Sequence, residues 1–270
     1  MMKTLLASLL ISTAALAAPT RGEVKDFNFN YSDPKGSGSA SVFQMSDSLL
    51  QNGVQVEVEK KDSVFLINVS GSHYQSFEFK DAPDIAKNAK DMSIEGFNLS
   101  LKDALSLSVV EATFDSDKDS LTLKNLTLNC ARDATQKEVM DEVVSGCIQK
   151  MTLRSSQFSQ SALMKFTESL ARALSPKTKT ARGGVTVKSL SANVNGGKYD
   201  LSADIKAQIS GKIKSNGNLS YDASNGVLTI KINEVKLGIL GVTGQVFNEL
   251  KKNESDKFKV KQPYVYLTIK

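Results

Sequence analysis

Residues 199–213 alternate without interruption: Tyr199, Leu201, Ala203, Ile205, Ala207, Ile209, Gly211 and Ile213 stand against Asp200, Ser202, Asp204, Lys206, Gln208, Ser210 and Lys212. A period of two over this length specifies extended chain with one apolar and one polar face. Read as a single strand it would span about 50 Å, far beyond an ordinary globular strand. The apolar side of so long an element needs a cover, and the identity of that cover bears directly on function.

Most of the chain carries the same pattern. A short strand is predicted at 24–31, followed by turn and loop chemistry at 32–40, where Asp33-Pro34 and two glycines fall close together. Val54, Val56 and Val58 alternate with polar residues, 64–69 is a compact apolar run, and Phe77 and Phe79 share one side of the next segment. A second long alternation runs through Phe97, Leu99, Leu101, Leu105, Leu107 and Val109. Its phase then moves to Val110, Ala112 and Phe114, which predicts a bulge or bend. Further strands are expected at 185–194, 217–221, 227–237 and 258–269, with Asn195-Gly196-Gly197 and Asn225-Gly226 as hairpin signals and Pro263 marking an edge or bulge.

Helical periodicity is confined to short stretches. Val139, Val143, Val144 and Cys147 make one helical face within 134–146, with Gly146 as a stop. Leu163, Phe166, Leu170, Ala173 and Leu174 make a stronger stripe over 159–174, ended by Ser175-Pro176. A third face, Val242, Val246, Phe247 and Leu250, falls within 242–251, and 83–90 is at most a short helix. The expected fold class is therefore α+β: long, strongly curved antiparallel sheets with two or three amphipathic helices packed on the apolar face.

The amino terminus reads as a signal peptide over residues 1–17. Lys3 precedes an apolar run ending at Leu16, and Ala15-Leu16-Ala17 has the small-residue spacing of a cleavage site. Past it, no apolar run approaches membrane-spanning length, and the stretch from Leu237 to Val242 is the greasiest that remains. A periplasmic or secreted location follows. In an oxidising compartment Cys130 and Cys147, which lack metal-ligand spacing, read as a disulfide, the other reading being two buried thiols.

Charge divides the chain. Residues 18–155 hold 15 basic and 21 acidic side chains, whereas 156–270 hold 18 basic and 8 acidic. A net of +10 on the second half implies an anionic partner such as a membrane surface, or else a solvated basic surface with no partner. Nucleic acid is disfavoured, because that half has only Arg172 and Arg182 as arginines and no basic recognition helix. An internal echo also divides it at about the same point. Phe114-Asp115 precedes Leu121-Thr122-Leu123-Lys124 at the same distance as Tyr221-Asp222 precedes Leu228-Thr229-Ile230-Lys231, and a helix and a strand follow each. Two modules, 18–155 and 156–270, are expected, related to one another unless similar hairpins arose by chance.

Catalytic signals are sparse. His73 is the sole histidine, and no nucleophile elbow, zinc-protease helix, phosphate loop or Cys-x-x-Cys is present. Asp115-Ser-Asp117-Lys-Asp119 begins like a calcium loop, but Ser120 stands where Gly is wanted and Leu126 where Glu is wanted. No enzyme, cofactor or metal is expected.

The predicted order of helix 159–174, a four-stranded meander over 185–237, helix 242–251 and a closing strand over 258–269 resembles the tubular lipid-binding (TULIP) superfamily, particularly the small bacterial YceB-like lipoproteins. The segment 217–231 and the closing Gln262-Pro-Tyr-Val-Tyr-Leu-Thr-Ile269 are similar to that family's later strands. The resemblance covers 159–270 and implies a lipid or other elongated apolar ligand held between helix and sheet. Leu163, Phe166, Leu170, Val246, Phe247 and Leu250 would form one wall of that cleft, and Leu201, Ile205, Ile209 and Ile213 the other. An exported, non-enzymatic lipid carrier is the leading expectation, and a solid-cored structural or interaction module of the envelope is the alternative.

Overall fold

A computed structural model describes residues 22–46, 49–62, 64–72, 74–80, 88–102, 104–117, 120–133, 135–136, 138–160, 186–206 and 211–269. Of these, 70% are strand and 10% helix, with two helices in all. The α+β expectation is thereby corrected: the described residues form a predominantly antiparallel β structure in which two short helices, of 11 and 9 residues, are a minor part. The stripe expected at 159–174 lies outside the described residues except for Ser159 and Gln160, which end a strand. Residues 83–87 and His73 also lie outside them.

The chain forms two compact units, Met1–Leu128 and Asn129–Lys270. In the first, strands β1 (Glu23–Ser32), β2 (Lys35–Ser46), β3 (Leu49–Lys61), β4 (Val64–Ser70), β5 (Tyr74–Phe79), β6 (Asp91–Ser100) and β7 (Leu105–Asp115) pair antiparallel in the order β5-β4-β3-β2-β1-β6-β7. Its cores are Phe29, Tyr31, Phe65, Ala89 and Phe114, and Val54, Val56 and Val69. Strand β8 (Ser120–Cys130) leads into the second unit.

The stretch expected as loop at 32–40 is mostly strand. Only Asp33 and Pro34 turn, and β2 pairs Gly36 with Tyr31 and Gly38 with Phe29. The glycines belong there because aromatic rings fill their space: a Cβ on Gly36 would stand 2.7 Å from Phe29 Cζ, and one on Gly38 would stand 2.3 Å from the Asn28 carbonyl oxygen. Glycine in a strand here marks close packing, not a break.

The phase change after Val109 has a visible origin. Val109 and Phe114 are both buried although their numbers differ in parity. Between β1 and β6 the register slips twice, around Phe27, and the residues taking up the slack are Asp26 (φ 51°) and Gly96 (φ 61°). Two asparagines stitch the irregularity. Gly96 N–H donates to Asn28 Oδ1 at 2.9 Å, and Asp26 N–H donates to Asn98 Oδ1 at 3.0 Å. Side-chain amides thus replace the ladder bonds that the bulges remove.

In the second unit, helix α1 (Val139–Gln149) precedes β9 (Lys150–Ser155) and β10 (Gln157–Gln160). Gly146 lies inside α1 and does not end it. A Cβ there would come within 2.1 Å of the Ala131 carbonyl oxygen, so the helix can lie under the incoming chain only at a glycine. Beside it, Cys130 and Cys147 are joined as a disulfide, with Cα atoms 4.5 Å apart.

The meander follows as β11 (Thr186–Asn195), β12 (Lys198–Lys206), β13 (Gly211–Asp222) and β14 (Val227–Leu237), then a short β15 (Leu240–Gly241), helix α2 (Thr243–Lys251), β16 (Phe258–Lys261) and β17 (Tyr264–Thr268). Strand β11 pairs with β9, β10 and β12; β12 pairs with β13, and β13 with β14; β17 lies between β14 and β16. The long strand expected over 199–213 is two strands of a hairpin, with Ala203 opposite Ile213 and Ile205 opposite Gly211. The alternation at 97–109 folds back in the same way, with Leu99 opposite Leu107. The strand expected at 258–269 is likewise a hairpin, and Pro263 sits in its turn.

Two outcomes are expected. Closing the 17-residue separation between Cys130 and Cys147 stabilises by about 3 kcal/mol in the chain-entropy model, so Cys130→Ser/Cys147→Ser should lower the denaturation free energy by roughly that amount in urea titration. At the β1–β2 turn, Asp33 accepts hydrogen bonds from the Tyr31 hydroxyl (2.7 Å) and Lys60 Nζ (3.2 Å), which hold its carboxyl below the usual range. A depressed folded pKa stabilises above the unfolded value of about 3.9 and is lost as pH falls through the folded one. Thermal melts should show that Asp33→Asn flattens the loss of stability below about pH 4.

Candidate functional site

The second unit's sheet separates its chemistry by face. Directly opposed residues of antiparallel strands share a face. The register therefore places Leu153, Ala192, Leu201, Ser215 and Val235 in one row across five strands, with Ser155, Leu190, Ala203, Ile213 and Leu237 in the next. On the other face Asp204 stands opposite Lys212, Ser202 opposite Lys214, and Lys214 opposite Lys236. A register slip at Asn233 keeps the apolar phase together, bringing Ile230 and Ile232 to the same side as Val235 and Leu237.

Helix α2 covers one side of the apolar face. Its start is tied to β14: Val242 N–H donates to the Val235 carbonyl at 2.8 Å, and Val235 N–H donates to Thr243 Oγ1 at 2.8 Å. Spacing by three and four then aims Val246, Phe247 and Leu250 at the sheet. Val246 packs with Val235 and Val242, bordered by Ile213, Ile232, Leu237 and Leu250. Phe247, 1% exposed, packs with Phe258, Val260 and Val265. Helix α1 packs at the end marked by the turn at Gly196 and Gly197, whose N–H groups donate to the Gln149 and Ile148 carbonyls at 2.9 Å. It is held there by a hydrogen bond from the Tyr221 hydroxyl to the buried Asp141.

Of the residues predicted to line a ligand, Val246, Phe247 and Leu250 lie on the sheet-facing side of α2, and Ile213 borders Val246 in the cluster beneath it. Leu201 and Ile205 are on β12, Ile205 buried and Leu201 half-buried, outside those clusters. Leu163, Phe166, Leu170 and Ile209 lie outside the described residues. Leu153 and Leu190, also half-buried, share the face with Leu201 and were not singled out by periodicity, because β9 and β11 alternate only weakly.

Electrostatics on this unit are those of ordered turns and a buried phenol. Burial pushes the Tyr199 hydroxyl up, opposed by its 3.2 Å contact with Ser215 Oγ. The Ser224 hydroxyl, then the Asn225 amide, hold the Asp222 carboxyl down at the β13–β14 turn. Among the described residues no group of three or more His, Cys, Asp or Glu side chains is placed to hold a metal ion.

At the opposite end from Gly196 and Asp222, β14 turns into β15 through Gly238 and Ile239. Leu237 stands opposite Leu240, and Ile239 is 96% and Leu240 56% exposed. The signal for this site was present in the sequence as the apolar run 237–242, although nothing in that run showed that its middle would face solvent.

Comparison with protein families, with curated proteins and with solved structures finds no match to this chain. The class of protein defined by fold and site is an antiparallel β-sheet protein with one helix-covered apolar face and one lysine-bearing face.

Phe247 joins α2 to β16 and β17. Phe247→Ala should destabilise the protein by about 3 to 5 kcal/mol, read as a shift in urea midpoint at unchanged slope.

Proposed function

We propose that this is an exported, non-enzymatic protein that binds lipid or another elongated apolar ligand on the second unit's sheet. The observation carrying this reading is the pair of registered rows in which large and small residues alternate: Leu153, Ala192, Leu201, Ser215, then Ser155, Leu190, Ala203, Ile213. Small residues stand between larger neighbours in both rows, and Leu153, Leu190, Leu201 and Ile213 keep partial exposure. Apolar surface left in contact with water is stabilised by about 25 cal/mol per Å2 when covered, and an acyl chain provides such cover. The leader-like residues 1–17 support export, and the resemblance of 159–270 to tubular lipid-binding proteins points to the same ligand class.

The alternative, a solid-cored interaction module, draws on the filled packing beneath α2, where Phe247 and Val242 are essentially inaccessible. It calls for a single protein partner and no ligand.

Native mass spectrometry and solvent extraction of the detergent-free protein separate the two. The carrier reading expects acyl-chain species bound to the purified chain and lowered on the order of tenfold by Leu201→Asp, with circular dichroism unchanged. Protein that is repeatedly lipid-free would reject it.

A further inference from the structure

The turn between β14 and β15 is built unlike the described turns at the far end of its sheet. At the far end the hairpins close on polar residues, Asn195-Gly196-Gly197 and the segment 222–226, in which Asp222 caps Ser224 and Asn225. At this end the turn closes on Gly238 and Ile239, flanked by Leu237 and Leu240, with Gly241 next. Isolated exposed apolar residues are ordinary, as Tyr74 and Val110 are here. Adjacent ones at the apex of a hairpin are different, because both face water together, Ile239 almost completely and Leu240 by more than half. A Cβ added at Gly238 or Gly241 would meet no atom within 4 Å, so the apex stands clear of the body of the unit.

The turn is held firmly in place. Gly238 N–H donates to the Lys212 carbonyl at 2.9 Å, which ties the apex to β13, and Val242, with no exposed surface, anchors the chain where it re-enters the core. The apex is therefore a fixed projection on a rigid sheet. Behind it, the face opposite α2 carries Lys206, Lys212, Lys214 and Lys236 within about two residues' rise of the turn. The carboxylates among these lysines are Asp204, which accepts from Ser189 Oγ, Glu234, paired with Lys236 at 2.9 Å, and Asp200, which shares a row with Glu234; they are three against the four lysines. Cations exceed anions there, and Lys206, Lys212 and Lys214 are exposed.

We infer that the apex Ile239-Leu240 inserts into the headgroup region of an anionic phospholipid bilayer while Lys206, Lys212 and Lys214 lie against the lipid phosphates. Apolar tip and cationic flank are both needed. Two side chains give a weak partition alone, and each lysine near an anionic leaflet adds about fivefold. The inference concerns docking at a membrane surface and stands apart from any ligand on the apolar rows, whose occupancy is read separately by mass spectrometry of the soluble protein.

The chain contains no tryptophan, so Ile239→Trp places a single reporter at the apex. With the mature full chain and vesicles of phosphatidylcholine and phosphatidylglycerol, its emission should move to the blue and become shielded from an aqueous quencher. Vesicles of phosphatidylcholine alone should produce neither change. Co-sedimentation with the anionic vesicles should fall about tenfold or more for Ile239→Ser/Leu240→Ser and severalfold for Lys212→Gln/Lys214→Gln, with melting temperature unchanged in both. Equal sedimentation by the serine variant, an unshifted tryptophan on bound protein, indifference to lipid charge, or no binding to anionic vesicles would each overturn the inference. So would an apex that instead mediates a protein complex lost in the serine variant.

Discussion

Every hairpin in this protein must return its apolar residues to the side from which they left. In an antiparallel pair, opposed residues share a face, so the sum of their numbers determines whether the odd-numbered or even-numbered positions of the second strand continue the first strand's apolar face. Ala203 opposite Ile213 and Leu99 opposite Leu107 have even sums, and odd positions remain inside on both strands. Tyr31 opposite Gly36 has an odd sum, and the apolar phase passes from Tyr31 and Phe29 to even positions such as Ala40. A slip of one residue would turn the whole apolar set of a strand to water, so the cores of both units depend on these registers.

Where register and packing conflict, the chain uses bulges and glycines. Asp26 and Gly96 absorb the mismatch between β1 and β6, with Asn28 and Asn98 supplying the missing hydrogen bonds. Gly36, Gly38 and Gly217 lie against aromatic rings; a Cβ on Gly217 would be 2.7 Å from Tyr199 Cε1 and 1.9 Å from the Lys231 carbonyl oxygen. Rings placed over glycines let strands with bulky residues approach closely, and the same device recurs in both units. Gly146, under the Ala131 carbonyl beside the disulfide, solves a comparable problem on a helix.

Separation of faces links this packing to function. The meander presents an apolar side, partly closed by α1 and α2, and a side bearing lysines, and the two meet at the Gly238-Ile239 turn. Lipid on the apolar rows and an anionic surface at the turn would call on different residues of one sheet. In these proposals Leu201 and Leu190 would serve the first, and Ile239, Leu240, Lys212 and Lys214 the second.

The β character, the Cys130–Cys147 pair, the strand with Val54, Val56 and Val58, the helix bearing Val246, Phe247 and Leu250, and the phase change near Val109 were all legible in residue order, because period and composition are local properties. The division of 199–213 between β12 and β13 was not, since an antiparallel pair with an even register sum preserves alternation and looks like one strand. The strand at 35–46 was hidden for a related reason: its glycines resemble a loop until the rings of Phe29 and Tyr31 are placed opposite them. Residue order likewise marked 237–242 as apolar without revealing that Val242 is sealed in the core while Ile239, three positions earlier, stands in water. Only the folded sheet decides that, because burial depends on which distant strand or helix comes to lie over a residue, and over Ile239 none of the described elements does.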